Sequence, residues 1–107
     1  MPKIDFSTIE PMLAGPAEYH PYIAPIYRGE HVEIQRGKYR RGEAAKRHSH
    51  SEEQIVYVLE GKLTASIGDE EFEVAAGQGY HVPPNTPHNL TVIEDIEMLS
   101  FKNGFST

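Results

Sequence analysis

Short runs in which apolar and polar residues alternate follow one another from about residue 30 onward. Leu63, Ala65 and Ile67 alternate with Thr64 and Ser66, and a period of two is expected where one face of a strand is buried. The same alternation predicts buried faces for two further pairs, Val32 with Ile34 and Phe72 with Val74. Turn-forming stretches rich in Gly and Asp separate these runs about every ten residues, which is typical of β-sandwiches and barrels. The pattern predicts an all-β domain.

One run departs from this alternation, because residues 55–59 are apolar without interruption. A strand that is apolar on both faces suits the middle of a sandwich or a contact between subunits. We therefore predict a homodimer, formed through sheet faces or by exchange of the N-terminal segment.

Proline marks the N-terminal segment, since five of the eight prolines fall within the first 25 residues. Each fixes φ and removes a backbone donor, so no long helix is expected there. The chain therefore divides into an arm over residues 1–28 and one β-domain over residues 29–107. A chain of 107 residues is long enough for one hydrophobic core.

Composition excludes several classes of protein. Ten Lys and Arg against 16 Asp and Glu leave a formal net charge of −6, which argues against a nucleic-acid partner, since the phosphate backbone requires a basic face. The absence of Cys excludes disulfides, iron–sulfur clusters and thiolate nucleophiles. No apolar run is long enough to cross a bilayer, and the N-terminus does not show the charged-then-apolar pattern of a signal peptide. We therefore predict no membrane partner and a cytoplasmic location.

Six histidines accompany this absence of cysteine. His48 and His50 are two residues apart, so on a strand both side chains project from one face. His88 shares the parity of Leu90 and Val92, which places it on an inward face. Neutral imidazole is the commonest metal ligand, so three converging histidines would suit one ion. The alternative is that these histidines are exposed or hydrogen-bonded within the protein.

Two separate sequence motifs surround these histidines. The first is Gly42-x5-His48-x-His50-x3-Gln54-x6-Gly61, and the second is Gly77-x5-Pro83-x-Asn85-x2-His88. The chain is identified by them as a member of the cupin superfamily. This resemblance implies a small conical barrel, the jelly roll or double-stranded β-helix, in which one divalent metal is held by His48, His50, Gln54 and His88. Asn85 replaces the usual Gly of the second motif and tolerates the left-handed conformation that Gly would supply.

Gln54 stands where the first cupin motif usually has Glu, and this difference bears on chemistry. A neutral amide leaves the full +2 charge of the ion uncompensated, which strengthens it as a Lewis acid and opposes its oxidation. We therefore favour isomerisation, cyclisation or elimination on a small oxygenated molecule. The alternatives are a metal-dependent dioxygenase and a non-catalytic module that binds or senses a small molecule. Three nitrogens and an amide oxygen suit Mn, Fe, Ni, Co or Zn.

Three further residues are candidates for moving a proton near such an ion: His81, Tyr57 and Tyr80. His81 would act if it faced inward, whereas an exposed imidazole is its default. His20, between Tyr19 and Pro21 in the arm, is a candidate for covering the barrel opening, and His31 is expected in solvent.

Six of the ten basic residues lie between positions 36 and 47. They would create a local positive field that attracts an anionic substrate. A solvated edge strand protected by its charges is the alternative.

Single-domain cupins of pectin breakdown resemble the chain in their His-x-His-x3-Gln pattern. Those proteins carry an Asp-x-Phe pair and a following Arg in the last strand, where this chain has Leu99, Phe101 and Phe105. Their uronate chemistry is therefore not expected here. Leu99 and Phe101, which share a face, predict instead a partly apolar cavity.

Overall fold

A computed structural model describes residues 3–104, and its regular secondary structure is almost entirely β-strand, as predicted. A 3-10 helix over Phe6–Thr8 is capped by Asp5, whose Oδ1 accepts from the Ser7 amide. The strands are β1 (Met12–Leu13), β2 (Ile23–Ala24), β3 (Ile26–Arg28), β4 (Glu33–Tyr39), β5 (Ala44–His48), β6 (Gln54–Ile67), β7 (Glu70–Ala75), β8 (Gly79–Val82) and β9 (His88–Lys102). Within residues 3–104, no helix combines the length and apolar character needed to cross a membrane.

The strands form one large and one small antiparallel sheet. β1 pairs with β2, and the seven-stranded sheet runs in the order β3-β4-β9-β6-β7, with β5 also paired to β9 and β8 also paired to β6. β3, which lies within the predicted arm, pairs with β4 and so belongs to the main sheet. This arrangement is a jelly roll.

The long ladder between β6 and β9 forms the middle of the jelly roll. It runs from Gln54 opposite Lys102 to Ile67 opposite His88, and its register breaks repeatedly between Val58 and Leu63. Such bulges bend a strand and increase its twist. The bend allows both ends of β9 to line one cavity. The first and last residues of β6 and of β9 lie at this end of the molecule, which we call the mouth.

Gly61 lies at the centre of this bend. Its φ is +84°, a conformation that L side chains rarely adopt, and a Cβ placed there would collide with the carbonyl of Asp95. The close approach of β6 to β9 at the bend therefore depends on glycine.

The apolar core fills the jelly roll around the bend and extends to the cavity at the mouth. Val56, Val58, Leu63 and Ala65 have no exposed surface at all. They pack with side chains from four other strands: Tyr39, Val74, Tyr80, Val82, Val92, Ile96 and Met98.

β4 faces the opposite way from the prediction. Glu33 and Gln35 are 2% and 5% exposed, whereas Val32 is 58% exposed. The reason lies further along the strand, where Tyr39 shares the face of Gln35 and packs into the core opposite Ile96. Because a slip of one residue reverses every side chain of a strand, turning Val32 and Ile34 inward would expel Tyr39. The predicted buried face of Val32 and Ile34 was therefore wrong.

The outer face of the sheet carries an apolar row that crosses three strands in register. Ile34 lies opposite Phe101, which in turn lies opposite Ile55. These side chains border an open groove of about 500 Å³ together with Ile4 and Val32. The row agrees with the expected subunit contact, although the homodimer stays a prediction.

Leu99 and Phe101 belong to this outer side. Leu99 lies opposite Tyr57, which is 42% exposed, and Phe101 is itself 40% exposed. The partly apolar cavity predicted from this pair was therefore wrong, because Met98, Ser100 and Lys102 are the inward residues of β9. Phe105 lies outside the described residues.

Candidate metal centre

The predicted ligands come from two separate stretches of the chain that meet at the mouth. His48 ends β5 and pairs with His88, the first residue of β9, while His50 follows in the loop and Gln54 begins β6. The imidazole of His88 lies 4.6 Å from that of His48 and 4.7 Å from that of His50, measured between ring centroids. Each of the three histidines offers a ligand atom within 4.8 Å of the other two.

Backbone carbonyl groups orient all three imidazoles in the same manner. Nδ1 of His48 donates to the Lys46 carbonyl at 2.7 Å, Nδ1 of His50 to the Glu52 carbonyl at 2.8 Å, and Nδ1 of His88 to the Thr86 carbonyl at 2.8 Å. These carbonyl partners favour a proton on Nδ1, and in that tautomer Nε2 of each ring is the ligand atom. A hydrogen bond from the second ring nitrogen is how proteins set the tautomer of a metal-binding histidine.

Gln54 is oriented just as firmly. Its Nε2 donates to Ser100 Oγ at 2.8 Å, which turns Oε1 towards His50 Nε2 at 3.1 Å. Two ligand atoms about 2.1 Å from one ion lie about 3.0 Å apart when the angle between them is 90°. The donor set and its spacing therefore fit a divalent ion held by three imidazole nitrogens and one amide oxygen.

Burial keeps His48 and His88 in the neutral state that ligation requires. It lowers the pKa of His88 to about 4, against an ordinary value of 6.5. It also lowers the pKa of His48. Near neutral pH both rings therefore carry lone pairs that a metal can accept without releasing a proton.

The turn between the ligands also follows expectation. Asn85 adopts a φ of 57°, the left-handed conformation predicted for this position, and its amide donates to the His50 carbonyl at 2.7 Å. The loop that carries His50 is thereby joined to the loop that precedes His88.

The N-terminal arm forms the wall facing these ligands. Tyr19 stacks on the ring of His48, with centroids 5.1 Å apart and planes 12° apart, and its carbonyl accepts from the Lys46 amide at 2.8 Å. Ala14, Gly15, Pro16 and His20 line the same cavity, which we call the metal cavity and whose volume is about 40 Å³.

His20 covers the mouth as its sequence position suggested. Its ring meets those of Tyr22 and Tyr39 edge-on. Burial lowers its pKa, and its Nδ1 has no hydrogen-bond partner among the described residues.

The three predicted proton carriers occupy different positions. Tyr80 lines the metal cavity, and burial raises the pKa of its hydroxyl. His81 points to the outside of β8, where its Nε2 lies 2.6 Å from Glu53 Oε2 and its side chain is 53% exposed. Tyr57 lies on the outer face of β6. The structure therefore brings only Tyr80, of these three, together with the ligands, and His31 is exposed as expected.

The predicted basic run does not face the metal cavity. Arg36 forms an ion pair with Glu97 on the outer side of the sheet, and Lys38, Arg40 and Arg47 are exposed. The basic residue that lines the cavity is Lys102, which sequence reasoning missed. Its parity with His88 along β9 was the available signal.

Lys102 is 9% exposed, and its charge helps to lower the pKa values of His20, His48 and His88. Burial lowers the pKa of Lys102 itself, while Glu33 and Glu52 act in the opposite direction.

Solved structures share this fold. The oxalate decarboxylase of Bacillus subtilis, a protein with Mn(II) centres, superimposes with a TM-score of 0.80 at 20% identity, over 96% of this chain and 30% of that one. KdgF from Halomonas sp. superimposes with a TM-score of 0.73 at 21% identity, over 78% of this chain and 80% of that one.

Sequence comparison identifies the family. An uncharacterised protein of Methanocaldococcus jannaschii, MJ1618, is 36% identical over 52 residues, which are 48% of this chain. The match spans 42% of that relative, less than half its length. The model of the cupin domain matches residues 35–101, which include all four predicted ligands. The chain therefore belongs to the cupin family.

Proposed function

We propose that this protein binds one divalent transition metal per chain. We further propose that it is an enzyme that catalyses isomerisation, cyclisation or elimination of a small oxygenated molecule. The observation that supports it is the shared arrangement of the three imidazoles. Each has Nδ1 bound to a backbone carbonyl, and each offers a ligand atom within 4.8 Å of the other two. Gln54 Oε1 would be the fourth ligand. Mn, Fe, Co, Ni and Zn all suit this donor set.

The chemistry that such an ion supplies when bound is polarisation of a carbonyl or enol oxygen. Gln54 favours this over redox chemistry, since an amide adds no negative charge to balance a trivalent state. The Ser100 hydroxyl holds the amide in place. A reaction in which the charge of the ion does not change, such as proton transfer, therefore suits this site better than electron transfer.

Two side chains of the cavity wall suit this chemistry. The raised pKa of Tyr80 keeps its hydroxyl protonated, so it can donate a hydrogen bond to a developing oxyanion. The lowered pKa of His20 keeps its ring neutral, so it can accept a proton. His20 and Tyr80 line the same small cavity, whose wall the arm helps to form.

Metal content tests the first part of the proposal. We expect about one equivalent in protein loaded with Mn, Ni, Zn or Fe, measured by elemental analysis. His50→Ala and His88→Ala should each lower it severalfold, whereas His31→Ala, which changes an exposed histidine, should not. Retention of one equivalent in both ligand variants would contradict the assignment.

Turnover tests the second part. A panel of small enols and hydroxy acids should yield product over time, with equal rates in air and in an anaerobic chamber. A rate that requires oxygen would favour the dioxygenase instead. Absence of product in both conditions, together with tight binding, would favour a binding module, a function that the narrow cavity beneath the arm also suits.

A further inference from the structure

The inward face of β4 buries polar side chains at a cost. A one-residue shift would have turned Val32 and Ile34 inward, yet Gln35 is 5% exposed and its Oε1 has no hydrogen-bond partner among the described residues. A buried acceptor without a partner destabilises a protein more than an apolar residue of the same shape. Tyr39 accounts for the facing of the strand, but not for the choice of an amide at position 35.

The position of Gln35 is specific. Its strand register places it opposite Ser100, the residue that holds the Gln54 amide, and it lines the metal cavity. On the adjacent rung, Lys102 lies between Glu33 on β4 and Gln54 on β6. Side chains directly opposite each other on one sheet face have Cβ atoms about 5 Å apart. Gln35 and Lys102 are diagonal neighbours on this face, about 7–8 Å apart, so an acceptor and a cation border the same part of the cavity next to a predicted metal ligand.

We infer that Gln35 and Lys102 form a recognition wall for a short hydroxycarboxylic acid, with Gln35 accepting from the hydroxyl and Lys102 meeting the carboxylate. The inference rests on the proposed function, since it names the molecule that the same cavity takes. Glu33 offsets part of the charge of Lys102, so a single carboxylate suits the wall better than a dianion.

The size of the cavity limits the length of this acid. A volume of about 40 Å³ holds about three water molecules, at the 10–15 Å³ that each requires. An acid of two or three carbons fits this space with little adjustment. A longer molecule requires displacement of the arm residues Pro16 and His20, which close the cavity.

Three probes of similar size test the inference: glycolate, acetate and ethylene glycol. We expect glycolate to bind about tenfold more tightly than either of the others, measured by calorimetry or NMR titration of the full chain. The titrations are done with the metal-free and the zinc-loaded protein. Equal affinity for glycolate and acetate in both forms would overturn the inference.

Gln35→Leu separates recognition by Gln35 from chelation by the metal. The variant should lose the tenfold preference for glycolate over acetate, keep its affinity for acetate and melt at the same or a higher temperature. A preference that survives in the variant would overturn the inference. So would a melting temperature several degrees lower, since Gln35 would then have a structural role.

Lys102 requires a paired change, because Lys102→Met alone leaves Glu33 buried beside an apolar residue. Glu33→Gln combined with Lys102→Met should weaken both acids at least tenfold and leave ethylene glycol unchanged. Lys38→Met, an exposed lysine on the other face of β4, is the matched control and should alter none of the affinities. Unchanged acid binding in the double variant would overturn the role of Lys102.

These results are independent of metal content. A protein that holds one equivalent of metal but does not prefer glycolate would retain the proposed function and lose this inference. A protein that prefers glycolate through Gln35 but holds no metal would retain the inference and lose the proposed function.

Discussion

The bend and the mouth of the jelly roll are built by the same two strands from opposite chemistry. At the bend, β6 and β9 contribute Val58, Leu63 and Val92, which are at most 2% exposed. At the mouth, the same strands contribute Gln54, His88 and Lys102. The bend is buried and gains stability from the apolar surface that it removes from water. The mouth gathers mainly polar side chains, of which His48, His50 and Gln54 remain partly exposed.

The difference shows which region stabilises the fold and which region is buried at a cost in stability. Polar groups buried at the mouth need partners, and several have them: three imidazoles donate to carbonyls and one amide donates to Ser100. Gln35 Oε1 and His20 Nδ1 have none among the described residues. Residues that break the rule of a satisfied interior concentrate at functional sites.

The largest expected effect is at the bend. Leu63→Ala removes a side chain with no exposed surface and should lower the free energy of unfolding by about 3 kcal/mol. Urea denaturation measures it, and Leu59→Ala, at a position 39% exposed, is the control with a cost below about 1 kcal/mol. Metal content should not change in either variant. Equal costs would mean that the bend does not carry the stability of the fold.

The second effect concerns the backbone that connects the two regions. Gly61→Ala imposes a Cβ at φ +84° and against the Asp95 carbonyl, so we expect a loss of about 2 kcal/mol. Gly42→Ala has a similar φ of +89° but open space around it, and should cost less. If both variants lose the same amount, the contact with Asp95 contributes nothing.

The third effect is a pH dependence that belongs to the mouth alone. The pKa of His88 is about 4 in the folded protein and near 6.5 when unfolded. The unfolded chain therefore binds more protons between these values, so stability is complete above pH 6.5 and is lost as the pH falls towards 4. Urea midpoints of the metal-free protein at pH 7.5 and 5.0 should reveal this loss. His88→Gln should reduce the difference, and an identical slope in that variant would refute its origin in His88.

The smallest expected change in the stability of the folded chain comes from substitutions in the outer apolar row. Val32→Thr with Ile55→Thr changes side chains that are 58% and 51% exposed, so each should alter the stability of a monomer by less than about 0.5 kcal/mol. If this face joins two chains as predicted, sedimentation velocity should report a dimer for the natural sequence and a monomer for the variant. Metal content should stay the same. A dimer that persists would place the subunit contact elsewhere.

Prediction from sequence succeeded where the evidence was local. Alternating residues such as Leu63 and Ala65 indicated strands, and the two motifs indicated the cupin fold and a cluster of His48, His50 and His88. It failed where a decision depended on distant residues. Packing of Tyr39 opposite Ile96 decides which face of β4 turns inward. Pairing with Gln54 in the β6–β9 ladder decides that Lys102 lies inside.

The sequence by itself therefore determined the fold family and the residue types available for a metal. The tertiary structure decided which face of each strand is inside, how the arm with Tyr19 and His20 closes the cavity, and which cation stands beside the ligands. The physical reason is that a period of two distinguishes the two faces of a strand but does not say which one the sheet buries. That choice is made by pairing and packing between residues far apart in the chain.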